Sequence, residues 1–234
     1  MKKHMLFSLS ITGLVIGFSL TGCDNGVAEK KYNPTMVCLG DSLTAGYGAT
    51  VPKADDKTKS YPAYLQNKVN IPVINAGVSG NTTSQALARI NTDVLSQNPQ
   101  IVIILLGAND LLQWVNIADT EYSLQEIISK INNGNRKIYL AKFYTDEIGL
   151  EIGKSMGAGL LPEEAVLSLI NDYNTMFNTL ASSNNVTLIE DIWDGVWGVN
   201  MSDEYHPNAA GYETMAGNIF KAIQPYLQAY GFLK

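Results

Sequence analysis

Three observations predict that this chain folds as an α/β protein, a three-layer α/β/α sandwich around a five-stranded parallel sheet. Five short apolar runs are spread along its 234 residues, and stretches of helical period separate them. Beyond an atypical N-terminal segment, roughly 200 residues remain, enough for one domain with a substantial core. The first expected strand, Thr35–Leu39, runs straight into Gly40-Asp41-Ser42-Leu43. Tyr61–Val69 reads as a short helix before the second strand, Ile71–Ala76. Leu87, Ile90 and Val94 mark a helix ahead of the third strand, Ile101–Leu106. Leu124, Ile127, Ile128 and Ile131 fall at i, i+3, i+4 and i+7, with Gly134 as a stop, before the fourth strand, Lys137–Ala141. Pro162-Glu163-Glu164 is a good helix start, and Val166, Leu169, Ile170, Tyr173 and Phe177 carry the period toward the fifth strand, Val186–Glu190. Tyr212, Met215, Ile219 and Ile223 form the stripe of a last helix. Alternation of this kind argues for a parallel sheet covered on both faces. The chain shows no repeats, low-complexity stretch or second domain.

Residues 1–22 read as a signal rather than as fold. Lys2 and Lys3 precede an uncharged, mostly apolar run from Met5 to Leu20, 16 residues long. That is short of the ~20 apolar residues of a spanning helix and has the layout of a secretory signal. It ends in Leu20-Thr21-Gly22-Cys23, which resembles a bacterial lipobox, so cleavage before a lipidated Cys23 is expected. Several acyl chains on one residue would hold a soluble domain firmly, since one chain alone is marginal. The alternatives are an ordinary cleaved signal or an uncleaved anchor. Residues 23–33 then form a polar tether and 34–234 the folded domain. Asp24 after the cysteine resembles an enterobacterial inner-membrane retention signal.

Removal of residues 1–22 leaves 14 basic and 22 acidic residues, a net charge of −8. An acidic surface repels phosphate backbones, and no basic patch appears, so nucleic acid is not an expected partner. After lipidation Cys38 is the remaining thiol, and its place inside the first apolar run predicts a buried, unpaired residue. One histidine and one buried cysteine cannot assemble a nitrogen- or sulfur-rich metal site, so no metal or organic cofactor is expected.

That histidine, His206, lies in Asp203-Glu204-Tyr205-His206-Pro207, and His4 falls in the signal. Serine is a poor nucleophile until a base takes its proton, and imidazole is the usual base near neutral pH. Ser42 is a candidate nucleophile, and Asp203, three residues before His206, is placed to orient the ring. Taken alone, a lone His before Pro is equally well a residue at a helix start. Two further segments weigh against that reading: Asn75-Ala76-Gly77-Val78-Ser79-Gly80-Asn81-Thr82 and Leu106-Gly107-Ala108-Asn109-Asp110.

In order, these four blocks resemble those of the SGNH (GDSL-type) serine hydrolases, and the resemblance spans Thr35 to about Ile223. It implies a flavodoxin-like arrangement of the sandwich, with Ser42 as nucleophile, His206 as base and Asp203 as its orienter. It also implies an oxyanion hole made by the N–H groups of Ser42 and Gly80 and the side-chain amide of Asn109. Ala108 stands where close relatives of the thioesterase/lysophospholipase type often carry Gly, and its methyl should narrow the pocket floor. In an open α/β sheet, sites form at the carboxyl ends of strands. Ser42, Gly80, Asn109 and His206 follow the first, second, third and fifth strands, so four loops can converge. Gly80 is expected to be required because a side chain there would shield its N–H.

Rivals exist at several positions. Ser79 also follows a strand in a glycine-flanked loop, but the chain has no Gly-x-Ser-x-Gly elbow. Asp41 and Asp110 read as structural, since loop-end aspartates usually bond nearby backbone groups. Asp194 and Glu204 compete with Asp203, and Asp194 stays open at this point. Leu111, Leu112 and Trp114 after Asn109, with Trp193 and Trp197 ahead of Asp203, are either core or the lining of an acyl or alcohol pocket. The long connection from Phe143 to Leu161, with Gly149, Gly153, Gly157 and Gly159, is either a surface excursion or a mobile flap. The expected activity is a serine esterase acting on small-molecule or lipid esters or thioesters. A carbohydrate acetylesterase is the alternative on the same scaffold. A binding lipoprotein or an interaction protein with a vestigial site are the non-catalytic alternatives.

Overall fold

The computed structural model describes residues 34–144, 148–149 and 162–234. The signal segment, Cys23 and the tether lie outside the described residues, as does most of the Phe143 to Leu161 connection.

Five parallel strands form one sheet: β1 (Met36–Gly40), β2 (Val73–Gly77), β3 (Ile101–Leu105), β4 (Lys137–Ala141) and β5 (Thr187–Ile189), in the order β2-β1-β3-β4-β5. The register aligns Leu39 with Ala76 on one side and with Ile104 on the other. β1 and β3 are buried along their whole length, which is why they read as unbroken apolar runs. β2 is half-buried at its start and β5 has only three residues, as suits the two edges of the sheet. The helices are α1 (Ser42–Ala45), α2 (Tyr61–Gln66), α3 (Thr83–Ala88), α4 (Ile90–Asp93), α5 (Ala108–Leu112), α6 (Ile117–Ile131), α7 (Glu163–Asn184) and α8 (Ala209–Ala229). Their buried faces carry the apolar positions of the sequence pattern, including Leu124, Ile127, Ile128 and Ile131 in α6 and Tyr212, Met215, Ile219 and Ile223 in α8.

Two details depart from the expected pattern. The helix through Leu87, Ile90 and Val94 is broken at Arg89 into α3 and α4, followed by a 3-10 turn at Leu95–Gln97. The Arg89 guanidinium donates to Asn81 Oδ1 at 2.7 Å and to the carbonyls of Ala76 and Gly40, both at 2.8 Å. Those are carbonyls at the ends of β2 and β1, and reaching them holds the Arg89 backbone outside helical geometry. The second detail is α1, a single turn that no periodicity announced. It exists because the Asp41 side chain accepts the Leu43 N–H at 3.0 Å and so caps it.

Candidate active site

The chain leaves β1 at Gly40 and turns at once into α1, so Ser42 stands at the carboxyl edge of the sheet. Glycine is required for that turn: a Cβ on Gly40 would lie 1.9 Å from Thr44 Oγ1 and 2.7 Å from the Leu105 carbonyl oxygen. At the other end of the domain, Asn208 caps α8 by accepting the Gly211 N–H, and a tight loop precedes it. That loop is closed by pairing of Met201 with Pro207 and by the Ser202 N–H donating to the His206 carbonyl at 2.7 Å. The Tyr212 hydroxyl donates to the Tyr47 carbonyl at 2.7 Å, tying α8 to the segment that follows α1.

These constraints bring Ser42 and His206, 164 residues apart, into contact: Ser42 Oγ lies 3.0 Å from His206 Nε2. His206 Nδ1 lies 2.9 Å from Asp203 Oδ1. The same carboxylate oxygen accepts the backbone N–H groups of Tyr205 at 2.9 Å and His206 at 2.8 Å, while Oδ2 pairs with Lys53 Nζ at 3.3 Å. Partial burial works to raise the Asp203 pKa, but the two backbone N–H groups and the imidazole outweigh it and hold the carboxyl down to about 2. Asp203 is therefore ionised near neutral pH. With Nδ1–H donated to Asp203, the lone pair on Nε2 faces the Ser42 hydroxyl, the tautomer a proton-accepting base needs. The Tyr47 ring packs edge-on against the imidazole, with centroids 4.7 Å apart.

Asn109 arrives from the start of α5, after β3, and lines the same cleft as Ser42 and His206. Its amide donates to the Asn81 carbonyl at 3.1 Å. It also donates to Asp41 Oδ2 at 3.4 Å, a long bond and the weaker of the two. Asp41 is thus more than a helix cap. It is buried beside Ser42, and burial pushes its carboxyl up to about 7; Asp110 adds to the rise, while the Leu43 N–H and Arg89 oppose it. Asp110 is buried too, accepting the Thr83 N–H at 2.9 Å and the Thr83 hydroxyl at 2.5 Å, which ties α3 to α5. Gly80 is exposed on the loop after β2, and its carbonyl accepts from Gln113 Nε2 at 3.4 Å.

The backbone gives a further reason for glycine at position 80. Nothing lies within 4 Å of a Cβ built there; instead its φ is +80°, a left-handed backbone that side chains disfavour.

The profile of the GDSL-like lipase/acylhydrolase family matches residues 38–214. This chain belongs to that family. It is similar to the esterase TesA of Pseudomonas aeruginosa, 24% identical over 218 residues covering 89% of this chain and 98% of that protein. It is also similar to the thioesterase 1/protease 1/lysophospholipase of Escherichia coli, 28% identical over 196 residues covering 82% of this chain and 84% of that one. A crystal structure of TesA shares the fold, with a TM-score of 0.66 over 82% of this chain and 98% of the other at 24% identity. The chain is accordingly a GDSL-type esterase.

Its cleft encloses about 540 Å³, counting the open mouth. Ala108, Leu112, Phe143 and Ile148 line it opposite the polar groups, together with Trp193, Trp197 and Tyr205. Of the five residues expected as pocket lining, Leu112, Trp193 and Trp197 are there. Leu111 and Trp114 are not. Asn109 and Leu112 share one face of α5 at i, i+3, which turns Leu111 beneath the cleft. Trp114 lies beyond the end of that helix, with φ +57° and 59% exposure. The rivals are also placed elsewhere: the Ser79 hydroxyl donates to Asp55, and Asp194 meets α8 through Asn218 Nδ2, which donates to its carbonyl at 2.7 Å. Cys38 is buried and free, as its setting predicted.

Sequence reasoning missed Arg89, Lys53, Tyr47 and the pairing of Asp41 with Asn109. None of these carries a local signal, because each is defined by a partner far along the chain.

Proposed function

We propose that this enzyme hydrolyses carboxylic esters or thioesters of apolar acyl groups through an acyl-enzyme, with Ser42 as nucleophile. The observation that carries this reading is the unbroken relay from Ser42 Oγ through the His206 ring to Asp203, at 3.0 and 2.9 Å. As Ser42 Oγ attacks the carbonyl carbon, its proton passes to His206 Nε2 and the carbonyl electron pair moves onto oxygen. The N–H groups of Ser42 and Gly80 and the Asn109 amide hold that oxyanion. Collapse breaks the ester bond, and the alcohol or thiol leaves with the proton from Nε2. Water then gives a proton to His206 Nε2 as it attacks the acyl carbon, and the intermediate collapses as Nε2 passes that proton to Ser42 Oγ, releasing the acid and free Ser42.

The cleft supports an apolar acyl group over a stacked sugar. Trp193 is only 4% exposed, its Nε1 donates to the Phe143 carbonyl at 2.8 Å, and Trp197 meets it edge-on at 86°. Trp193 therefore offers no open face to a pyranose ring. The enzyme's place is at a bacterial membrane, held by acyl chains on Cys23; the supporting feature is Leu20-Thr21-Gly22-Cys23 behind the apolar run.

Ser42→Ala should abolish hydrolysis of p-nitrophenyl acetate and labelling by a fluorophosphonate while leaving the thermal midpoint nearly unchanged. Labelling that survives in Ser42→Ala and disappears in Ser79→Ala would sink the assignment.

A further inference from the structure

A second, much tighter apolar space adjoins the cleft, about 260 Å³ only when its open mouth is counted. Leu111, Tyr144 and Gly149 line it, facing Val166, Ile170 and Tyr173 of α7. The cleft in front takes Leu112, Phe143 and Ile148. Three pairs of chain neighbours (Leu111 and Leu112, Phe143 and Tyr144, Ile148 and Gly149) thus send one member forward and one back. The two spaces are separated by a partition one residue thick. Its bulkiest side chain on the cleft side, apart from the tyrosine behind it, is Phe143, which packs edge-on against Tyr173 and Phe177 of α7 at 5.9 and 6.0 Å.

From this arrangement we infer that the Phe143 ring is the end wall of the acyl pocket and limits the length of acyl chain the enzyme accepts. The inference rests on the esterase reading of the cleft. An acyl group stays attached to Ser42 while the alcohol departs, so the closed end suits the acyl group and the open mouth suits the alcohol. The wall is held rigidly. Phe143 Cε1 lies only 2.9 Å from where a Cβ on Gly107 would be, Tyr144 packs on the ring at 4.7 Å, and Trp193 holds the Phe143 carbonyl. In a close-packed interior such a ring cannot step aside without displacing α7. The space behind it is apolar, formed by Leu111, Val166, Leu169 and Ile170 among others, and is too tight for an acyl tail until the Phe143 ring is cut back.

The test is kcat/KM of the full chain on p-nitrophenyl acetate, butyrate, hexanoate, octanoate and decanoate, beside an alcohol series of acetate esters. The wild type should act on acetate and butyrate and fall steeply by octanoate. Phe143→Ala should raise the octanoate-to-acetate ratio at least ~10-fold, since even one methylene in an apolar pocket is worth that much. Phe143→Leu, a milder cut that preserves the fold better, should shift the ratio in the same direction by less. Val166→Phe added to Phe143→Ala should refill the rear cavity and reverse the gain. The alcohol series should be unaffected throughout. A wild type that hydrolyses octanoate as readily as acetate overturns the wall. So does an unchanged ratio in Phe143→Leu with wild-type melting and acetate turnover, or a response confined to the alcohol series. A wild type inert toward every ester instead overturns the esterase reading, a result distinct from short-chain activity with unresponsive variants.

Discussion

Asp41, Ser42 and Asn109 form a unit in which one carboxyl touches both the helix turn carrying Ser42, the proposed nucleophile, and the amide of Asn109, the proposed oxyanion donor. Removing the amide in Asn109→Ala should lower kcat roughly 10²–10³-fold with little change in KM, because the bond strengthens only as charge develops on the oxygen. Steady-state kinetics read this directly, and an unchanged kcat would take Asn109 out of the hole. Asp41 makes a separate prediction about stability. Its carboxyl rises from 3.8 to about 7 on folding, so between those values the unfolded chain releases a proton that the folded one keeps. The unfolded state therefore gains as pH rises through that window, and Asp41 makes the protein less stable at pH 8 than at pH 5. Asp41→Asn preserves the cap and removes the titration, so its urea midpoint should lose that part of the decline. A variant with the wild-type slope would show that another group carries it. Asp203 has the opposite sign: held down to about 2, it contributes stability above 3.8 that is lost as pH falls through 2.

Each element that presents a site residue is short and is braced by a contact from elsewhere. α1 has four residues, too few to stand on propensity, and depends on Asp41 at its start and on the closeness of β1 that Gly40 permits. Gly40→Ala should therefore cost more activity than stability. The Leu105 carbonyl cannot move out of the sheet, so α1 and Ser42 must move away from His206, while overpacking costs about 1–3 kcal/mol. Thermal melting and kcat measured together would separate the two effects; full activity with a lowered midpoint would contradict the argument. Arg89 braces the ends of β1 and β2 at the expense of helical continuity between α3 and α4.

Across the whole molecule, the strand order decides where chemistry occurs. From β1 the chain goes outward to β2 and then returns past β1 to β3, so the loops after β1 and β3 diverge and leave a crevice between them. Ser42 and Asn109 stand on its two sides, and the loop before α8 brings His206 over the top. The N-terminus is a separate matter from this edge. If Cys23 is the anchor, Cys23→Ser should leave an unprocessed precursor or a mislocalised product, while the wild type should fractionate with membranes and resist extraction by high salt. A surface of net −8 has little attraction to anionic lipid, and salt at 1 M screens charge to within ~3 Å, so salt resistance would point to acyl chains. Wild-type protein recovered in the soluble fraction with an unmodified N-terminus would refute the anchor and leave the hydrolase unaffected.

Apolar period and motif order were legible along the chain because they are local. Unbroken runs such as Ile101–Leu106 announce strands buried on both faces, and Leu124 to Ile131 announces a helix with one face on the sheet. The segments around Ser42, Gly80, Asn109 and His206 each keep their residues within a few positions, so their meaning survives without coordinates. What depends on the packing of distant segments was not legible. The choice of Asp203 over Asp194 rests on the turn at Met201–Pro207, which aims one carboxylate oxygen at three N–H groups. Leu111 and Leu112 are indistinguishable by composition, and only the orientation of α5 sends one behind the cleft and the other into it. Asp41 reads as an ordinary cap until burial beside Asp110 and Asn109 changes its charge state. Burial and partnership across more than 60 residues arise when the sheet closes, and no window of sequence contains them.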